Sequence, residues 1–195
     1  MESGPPRPVW FVFSGMGSQW AGMARTLLRL PAFAASVQRS AAALQPHGVD
    51  LLHVLADAPD AAFDDVVVSF VSIAAVQVAL VDVLRAVGVR PDGIVGHSVG
   101  EIGCAYADDT LSAEQAVLAA YWRGRSIVDA GLPRGAMAAV GLSWEQCVAR
   151  CPPDLVPACH NAADSVTVSH SLVYIKLTNK EFLLPSFLIP SHFMS

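Results

Sequence analysis

The sequence predicts an α/β fold: a parallel sheet carrying a sharp strand-turn-helix elbow, followed by a smaller β-α-β-β unit. Three observations predict it. Val9-Trp10-Phe11-Val12-Phe13 is a continuous apolar run that breaks into Ser14-Gly15-Met16-Gly17-Ser18-Gln19-Trp20. Such a run suits a strand buried on both faces of a parallel sheet. Ile94-Val95 runs into Gly96-His97-Ser98-Val99-Gly100-Glu101, and the small-residue stretch Ile102–Ala107 follows. A serine flanked by glycines two residues away on each side, between a strand and a helix, is the nucleophile-elbow pattern. After Gly131-Leu132-Pro133, short apolar strands alternate with one capped helix.

The elements follow in order. Ala21–Leu30 and Ala32–Leu44 read as helices, the second with Phe33, Val37, Ala41 and Leu44 on one face. Val66–Val81 is a 16-residue run without a charge. Spanning a bilayer takes about 20 apolar residues. The run is short and carries Ser69, Ser72 and Gln77, so it predicts a buried core helix continuing through Leu84. Ser112-Ala113-Glu114-Gln115 has capping-box form and opens a helix through about Asp129, which Gly131-Leu132-Pro133 stops. Ala136–Leu142 reads as a strand, and Ser143-Trp144-Glu145-Gln146 is a second capping box. Its helix closes before Pro152-Pro153, and Val156–Cys159 and Ser165–Ser169 read as strands. This β-α-β-β run is most of a ferredoxin-like unit, without an evident second helix or last strand.

At the elbow the turn needs tiny neighbours at Gly96 and Gly100. It projects the Ser98 hydroxyl above the sheet and gathers N–H groups at a helix N-terminus. The alternative is an ordinary glycine-rich turn that contains a serine. The loop at Gly15–Gly17 could cradle a phosphate, but Trp20 stands where a dinucleotide fingerprint needs its third glycine, and no Walker lysine follows. It fits better as a second oxyanion donor beside the elbow, or as a tight strand-to-helix turn.

Composition bounds the rest. The 195 residues are 53% hydrophobic and 15% charged, which implies extensive buried surface. A net charge of −5 gives no nucleic-acid footprint. Cys104, Cys147, Cys151 and Cys159 lack CxxC metal spacing, so no metal is expected. Cys147 and Cys151, four apart on one helix, read as small core residues. No leader-like segment is seen, and a reduced, cytoplasmic setting follows as the expectation.

Three spaced segments resemble one family. Phe13–Trp20, Gly93–Glu101 and Ala120-Tyr121-Trp122-Arg123-Gly124 are similar to the acyl-CoA:acyl-carrier-protein acyltransferases. Gly135–Leu142 and Pro157-Ala158-Cys159-His160-Asn161 bring the likeness nearer to the malonyl/acetyl transferase domain of the animal-type multidomain fatty acid synthase. The resemblance runs from about Pro8 to about Ser169. It implies an α/β-hydrolase-like large subdomain over residues 8–133, a partial ferredoxin-like small subdomain over 134–169 and an unrelated tail over 170–195.

The resemblance also implies chemistry. Ser98 would attack the thioester of malonyl-CoA or acetyl-CoA, with the backbone N–H groups of Met16 and Val99 holding the oxyanion. The pantetheine thiol of acyl carrier protein would then collect the acyl group. Arg123 would clamp the malonyl carboxylate, the alternative being a helix-surface ion pair, while His97 and Gln19 would line the substrate site. No bound cofactor is implied. Acyl-CoA, acyl carrier protein and neighbouring synthase domains are the expected partners. The family's general-base histidine sits further on, in an apolar-Phe-His-Ser motif, and no such motif occurs here. His47, His53, His97, His160, His170 and His192 are the other candidates, none of them in a motif that marks a base. The expectation is a truncated, weakly active or inactive transferase. An inert fragment, or a binding module for acyl-CoA or a synthase partner, is the alternative, and a serine hydrolase the weaker one, since no triad Asp or His context follows Ser98.

Overall fold

β1 (Trp10–Phe13) and β2 (Gly93–Gly96) pair in parallel, with Trp10 opposite Gly93 and Phe13 opposite Gly96. This is seen in a computed structural model that describes residues 7–131, 135–171 and 188–189. The chain divides into two units between Ser126 and Ile127.

In the first unit, α1 (Pro31–Leu44) packs on α3 (Val66–Ala86). Pro31 opens α1, where its missing N–H costs nothing. The stripe it buries is Phe33, Ser36, Val37, Ser40 and Leu44, while Ala41, expected on that face, is only half-buried. Residues 21–30 form turns and a 3-10 segment at Leu27–Arg29 in place of the expected helix. Gly22 takes a left-handed φ of 78°, and Pro31 holds Leu30 extended at ψ 120°. A short α2 (Leu51–Ala56), capped by the Asp50 carboxylate accepting from His53 N–H at 3.1 Å, was not anticipated.

α3 is the core helix the sequence predicts. Asp65 caps it by accepting from the N–H groups of Val67 and Val68, at 2.7 and 3.0 Å. It is long and apolar enough to cross a membrane, yet most of it is buried within this unit. α4 (Gly100–Ala107) follows the elbow, and α5 (Ala113–Asp129) follows Ser112. The Ser112 capping box is present: Ser112 N–H donates to Gln115 Oε1 at 2.8 Å and Gln115 N–H to Ser112 Oγ at 3.2 Å.

A polar network fixes the rear of α4. Asp82 on α3 accepts from the Tyr106 hydroxyl and from Arg39 on α1, each at 2.5 Å. Arg85 donates to the carbonyls of Tyr106 and Ala107 at 3.3 and 3.1 Å and pairs with Asp109 at 2.6 Å. A guanidinium on the last carbonyls of a helix satisfies groups that have no partner within it. Burial, and then the bond to Asp82, push the Tyr106 hydroxyl up to about 12.

The sheet corrects one expectation. Phe11 and Phe13 are buried with Val78, Val81, Tyr106 and Ala116, but Trp10 and Val12 are 61% and 73% exposed. Val95 on β2 is also exposed. The continuous apolar run therefore forms a strand covered on one face only among the described residues.

In the second unit, β3 (Gly135–Val140), β4 (Val156–Ala162), β5 (Ser165–Ser171) and β6 (Leu188–Ile189) form one sheet in the order β4-β5-β3-β6. β5 runs antiparallel between β3 and β4, which α6 (Trp144–Arg150) connects, giving a split β-α-β arrangement. The Ser143 capping box opens α6 as expected. Val140, Cys147, Val166 and Val168 form the core, and all four cysteines are free. Cys147 is fully buried and Cys151, half-buried, donates to Leu155 O at 3.2 Å. Two readings change here. β5 continues through His170 and Ser171, beyond the expected end at Ser169. A last strand exists after all, with Leu188 opposite Ala138 and Ile189 opposite Met137. Leu132, Pro133, His192 and the apolar segment Phe182–Phe187 lie outside the described residues.

Candidate active site

The elbow forms as its residue types require. Ser98 adopts φ +55°, in the left-handed region that an L-residue with a side chain rarely enters. The turn closes by Gly100 N–H to His97 O at 2.9 Å and Glu101 N–H to Ser98 O at 3.1 Å. His97 N–H donates to Phe13 O at 3.0 Å, which continues the β1–β2 ladder to the turn itself.

The approach of the two loops leaves no room for side chains. A Cβ on Gly100 would lie 2.2 Å from Phe13 O, and one on Gly15 would lie 2.6 Å from His97 O and 3.0 Å from Ser98 Cβ. The glycines thus hold the turn after β1 directly against Ser98. The N–H groups of Met16 and Val99 belong to these two turns, and among the described residues neither meets a protein acceptor. Donors of this kind, beside a hydroxyl at a helix N-terminus, can hold an oxyanion.

The turn after β1 is tied internally. Ser18 Oγ donates to Gly15 O at 2.8 Å, and Gly17 N–H donates to Gln19 Oε1 at 2.8 Å. Gln19, expected to line the substrate site, therefore serves its own loop with its amide oxygen. The ring of His97 lies beside Gly15, whose Cβ position is 3.3 Å from His97 Nδ1.

Arg123 projects from α5 toward the elbow. Its Nη1 makes a long contact of 3.4 Å to Ser98 O, and its guanidinium stands 5.6 Å from the centre of the Phe70 ring. The side chain is exposed.

The other histidines stand apart in their contacts. His47 packs on Tyr121 and Trp122, with ring centres 4.6 and 5.4 Å away. His160 in the second unit stacks on Trp144 at 5.7 Å, and His170 lies opposite Ala136 in β5. Among the described residues no hydrogen bond or ring contact joins His47 or His53 to Ser98. Cys104, beneath the elbow at Gly96, has its thiol pushed up by burial and then by Glu101 and Asp108. It is therefore a poor nucleophile. No group of His, Cys, Asp or Glu among the described residues is arranged to hold a metal.

Two residues at the site escaped sequence reasoning. Phe70 offers its ring to Arg123, and only a pattern of contacts reveals it. Gln77 left a signal: a lone amide in an apolar helix. Its Nε2 donates to Ser14 O at 2.7 Å.

The family model for the acyl transferase domain matches residues 10–176, past the expected limit at Ser169. The chain is 42% identical over 183 residues to the highly reducing polyketide synthase sdnO of Sordaria araneosa, covering 86% of this chain and 6% of that one. It is 43% identical over 169 residues to the highly reducing polyketide synthase alnA of Emericella nidulans, covering 82% and 7%. Among solved structures, it resembles the acyltransferase domain from the second module of the salinomycin polyketide synthase. There the TM-score is 0.77 at 31% identity, over 86% of this chain and 40% of that one. It also resembles the malonyl CoA-acyl carrier protein transacylase of Coxiella burnetii, with TM-score 0.74 at 28% identity, over 85% and 54%. The chain thus spans under a tenth of the length of these polyketide synthases and about half of the solved transacylase. With an α/β fold shared with those acyltransferases and a family match over most of its length, this chain belongs to the acyl transferase domain family.

Proposed function

We propose that this chain performs the acyl-loading step of a multidomain acyl-chain synthase, through Ser98. The observation that carries the reading is the left-handed Ser98 at the head of α4, with the turn after β1 pressed against it by two glycines. The Ser98 oxygen attacks the thioester carbonyl of malonyl-CoA or acetyl-CoA. Its proton leaves to a base, the N–H groups of Met16 and Val99 hold the oxyanion, and CoA departs as its thiol. The pantetheine thiol of an acyl carrier protein then attacks the acyl-serine ester and regenerates the hydroxyl. Arg123 favours malonyl by pairing with its free carboxylate. No cofactor takes part, and the setting is cytoplasmic, in keeping with four free cysteines.

The sequence segments that resemble an animal-type fatty acid synthase support that assignment. The similarity to fungal polyketide synthases supports the same loading step in a polyketide synthase. Both readings share the substrate class and the carrier. The apolar-Phe-His-Ser motif that carries the general base in the resembled family does not occur in this sequence, and transfer without that base is slower by the factor of about 10²–10⁴ that general-base help contributes.

A binding-module reading is favoured by one observation, the exposed apolar face of Trp10, Val12 and Val95. Transfer kinetics separate the two. Incubation with malonyl-CoA and holo carrier protein should yield acylated carrier and free CoA in equal amounts, lost in Ser98→Ala. Saturable malonyl-CoA binding with no CoA release, unchanged in Ser98→Ala, would establish the binding module instead.

A further inference from the structure

We propose that Ser18 and Gln77 are positioning residues that aim the Met16 N–H at the acyl group on Ser98, an inference that rests on the reading of Ser98 as nucleophile. The argument starts from the peptide unit. A trans peptide is planar, with its C=O and N–H pointing in opposite directions. Whatever grips the carbonyl of residue 15 therefore sets the direction of the N–H of residue 16. Ser18 Oγ grips it, donating to Gly15 O at 2.8 Å. Residue 15 is a glycine because its Cβ position is only 3.0 Å from Ser98 Cβ. A glycine there has no side chain to restrict its dihedrals, so the orientation must come from outside.

Gln77 fixes the preceding unit. Its Nε2 donates to Ser14 O at 2.7 Å, reaching from α3 in the core to the turn after β1. The carbonyl can only accept, so the amide must present its NH2 to Ser14. The other end, Gln77 Oε1, is then buried without a partner. It sits where Gly103 leaves space, since a Cβ at that position would be 2.6 Å from Gln77 Oε1. A buried amide with an unmet acceptor, on a helix whose buried positions are mostly Val, Ala, Ile and Phe with the small Ser69 and Ser72, is a poor choice for packing alone. It is a good choice for holding a loop carbonyl. The two bonds act in series: Gln77 sets the Ser14–Gly15 unit and Ser18 sets the Gly15–Met16 unit.

The test uses the whole chain, with Ser18→Ala, Ser18→Thr and Gln77→Met. Gln77→Met keeps the volume and removes both the donor and the unmet acceptor, so folding stability should hold or rise while positioning is lost. Two quantities are read: the single-turnover rate of Ser98 acylation by malonyl-CoA, and the NMR order parameter of the Met16 amide. Ser18→Ala and Gln77→Met should each slow acylation about tenfold, less than the 10²–10³ of losing an oxyanion donor outright. The half-saturating malonyl-CoA concentration should stay put. Ser18→Thr, which keeps the hydroxyl, should stay within about twofold of the parent. The Met16 order parameter should fall from the rigid range near about 0.85 toward about 0.6 in both disruptive variants and stay rigid in Ser18→Thr. A Met16 amide as rigid in Ser18→Ala and Gln77→Met as in the parent overturns the proposal, as does a loss carried entirely by weaker malonyl-CoA binding. If the parent itself never acylates, the reading of Ser98 fails, and the Met16 order parameter still decides whether these two side chains position that amide.

Discussion

Replacing Ser98 by glycine should stabilise the first unit while removing its chemistry. Ser98 holds φ +55°. A side-chain-bearing residue in that region costs about 1–2 kcal/mol, because its Cβ crowds the following carbonyl. Glycine releases this strain but adds unfolded-chain entropy of about 0.4–1 kcal/mol. The net expectation for Ser98→Gly is a gain of about 0.5–1 kcal/mol. Ser98→Ala keeps the Cβ and therefore the strain, so it should stay within about 0.5 kcal/mol of the parent. Urea unfolding followed by circular dichroism gives both differences, and amide exchange along α4 assigns them to the first unit rather than the second. Ser98→Gly no more stable than Ser98→Ala would refute the idea that the elbow stores backbone strain at this residue.

Other outcomes follow from the same geometry. Gly100→Ala places a methyl against the backbone oxygen of Phe13 at 2.2 Å, so it should cost about 3 kcal/mol or more, read from the urea midpoint; a loss under 1 kcal/mol, on the scale of an ordinary surface change, would contradict the close approach. The Tyr106 hydroxyl is pushed up to about 12 from its ordinary value near 10, so its contribution is whole below about pH 10 and fades as pH rises from about 10 to about 12. Tyr106→Phe should flatten that part of the stability profile, and an unchanged profile would argue against both causes of the shift, the burial of the hydroxyl first and then its bond to Asp82. Arg123→Ala should lower kcat/KM for malonyl-CoA about fivefold, or about 1 kcal/mol as befits an exposed pair, and leave acetyl-CoA unchanged. Equal losses for both substrates would remove Arg123 from the clamp role.

The elbow was legible because its requirement is local: a serine in strain, glycines two residues either side, a strand before and a helix after. The capping boxes at Ser112 and Ser143 were legible for the same reason, each satisfying orphan N–H groups within four residues. What escaped depended on distant partners. Trp10 and Val12 read as buried because they are apolar, but burial needs a covering element, and pattern alone cannot supply one. The helix expected at Ala21–Leu30 has good formers, but Gly22 takes a left-handed turn and Arg25 spends its guanidinium on Ala56 O, at 3.0 and 2.8 Å. β6 is two residues long and carries no periodicity to read. Arg123 was found by motif, but its exposure is a property of the surrounding fold. Gln77 was visible as an oddity in an apolar run, while its partner, Ser14 O, lies 63 residues away in the chain.

The central claim is that Ser98 becomes an acyl ester. Brief exposure of the whole chain to malonyl-CoA, acid quenching and peptide-resolved mass spectrometry locates the label directly. The account predicts a malonyl group on the peptide containing Gly96–Gly100, borne by Ser98, removed by hydroxylamine and absent from Ser98→Ala. A malonyl ester or thioester on any other residue, with Ser98 unmodified, would contradict it.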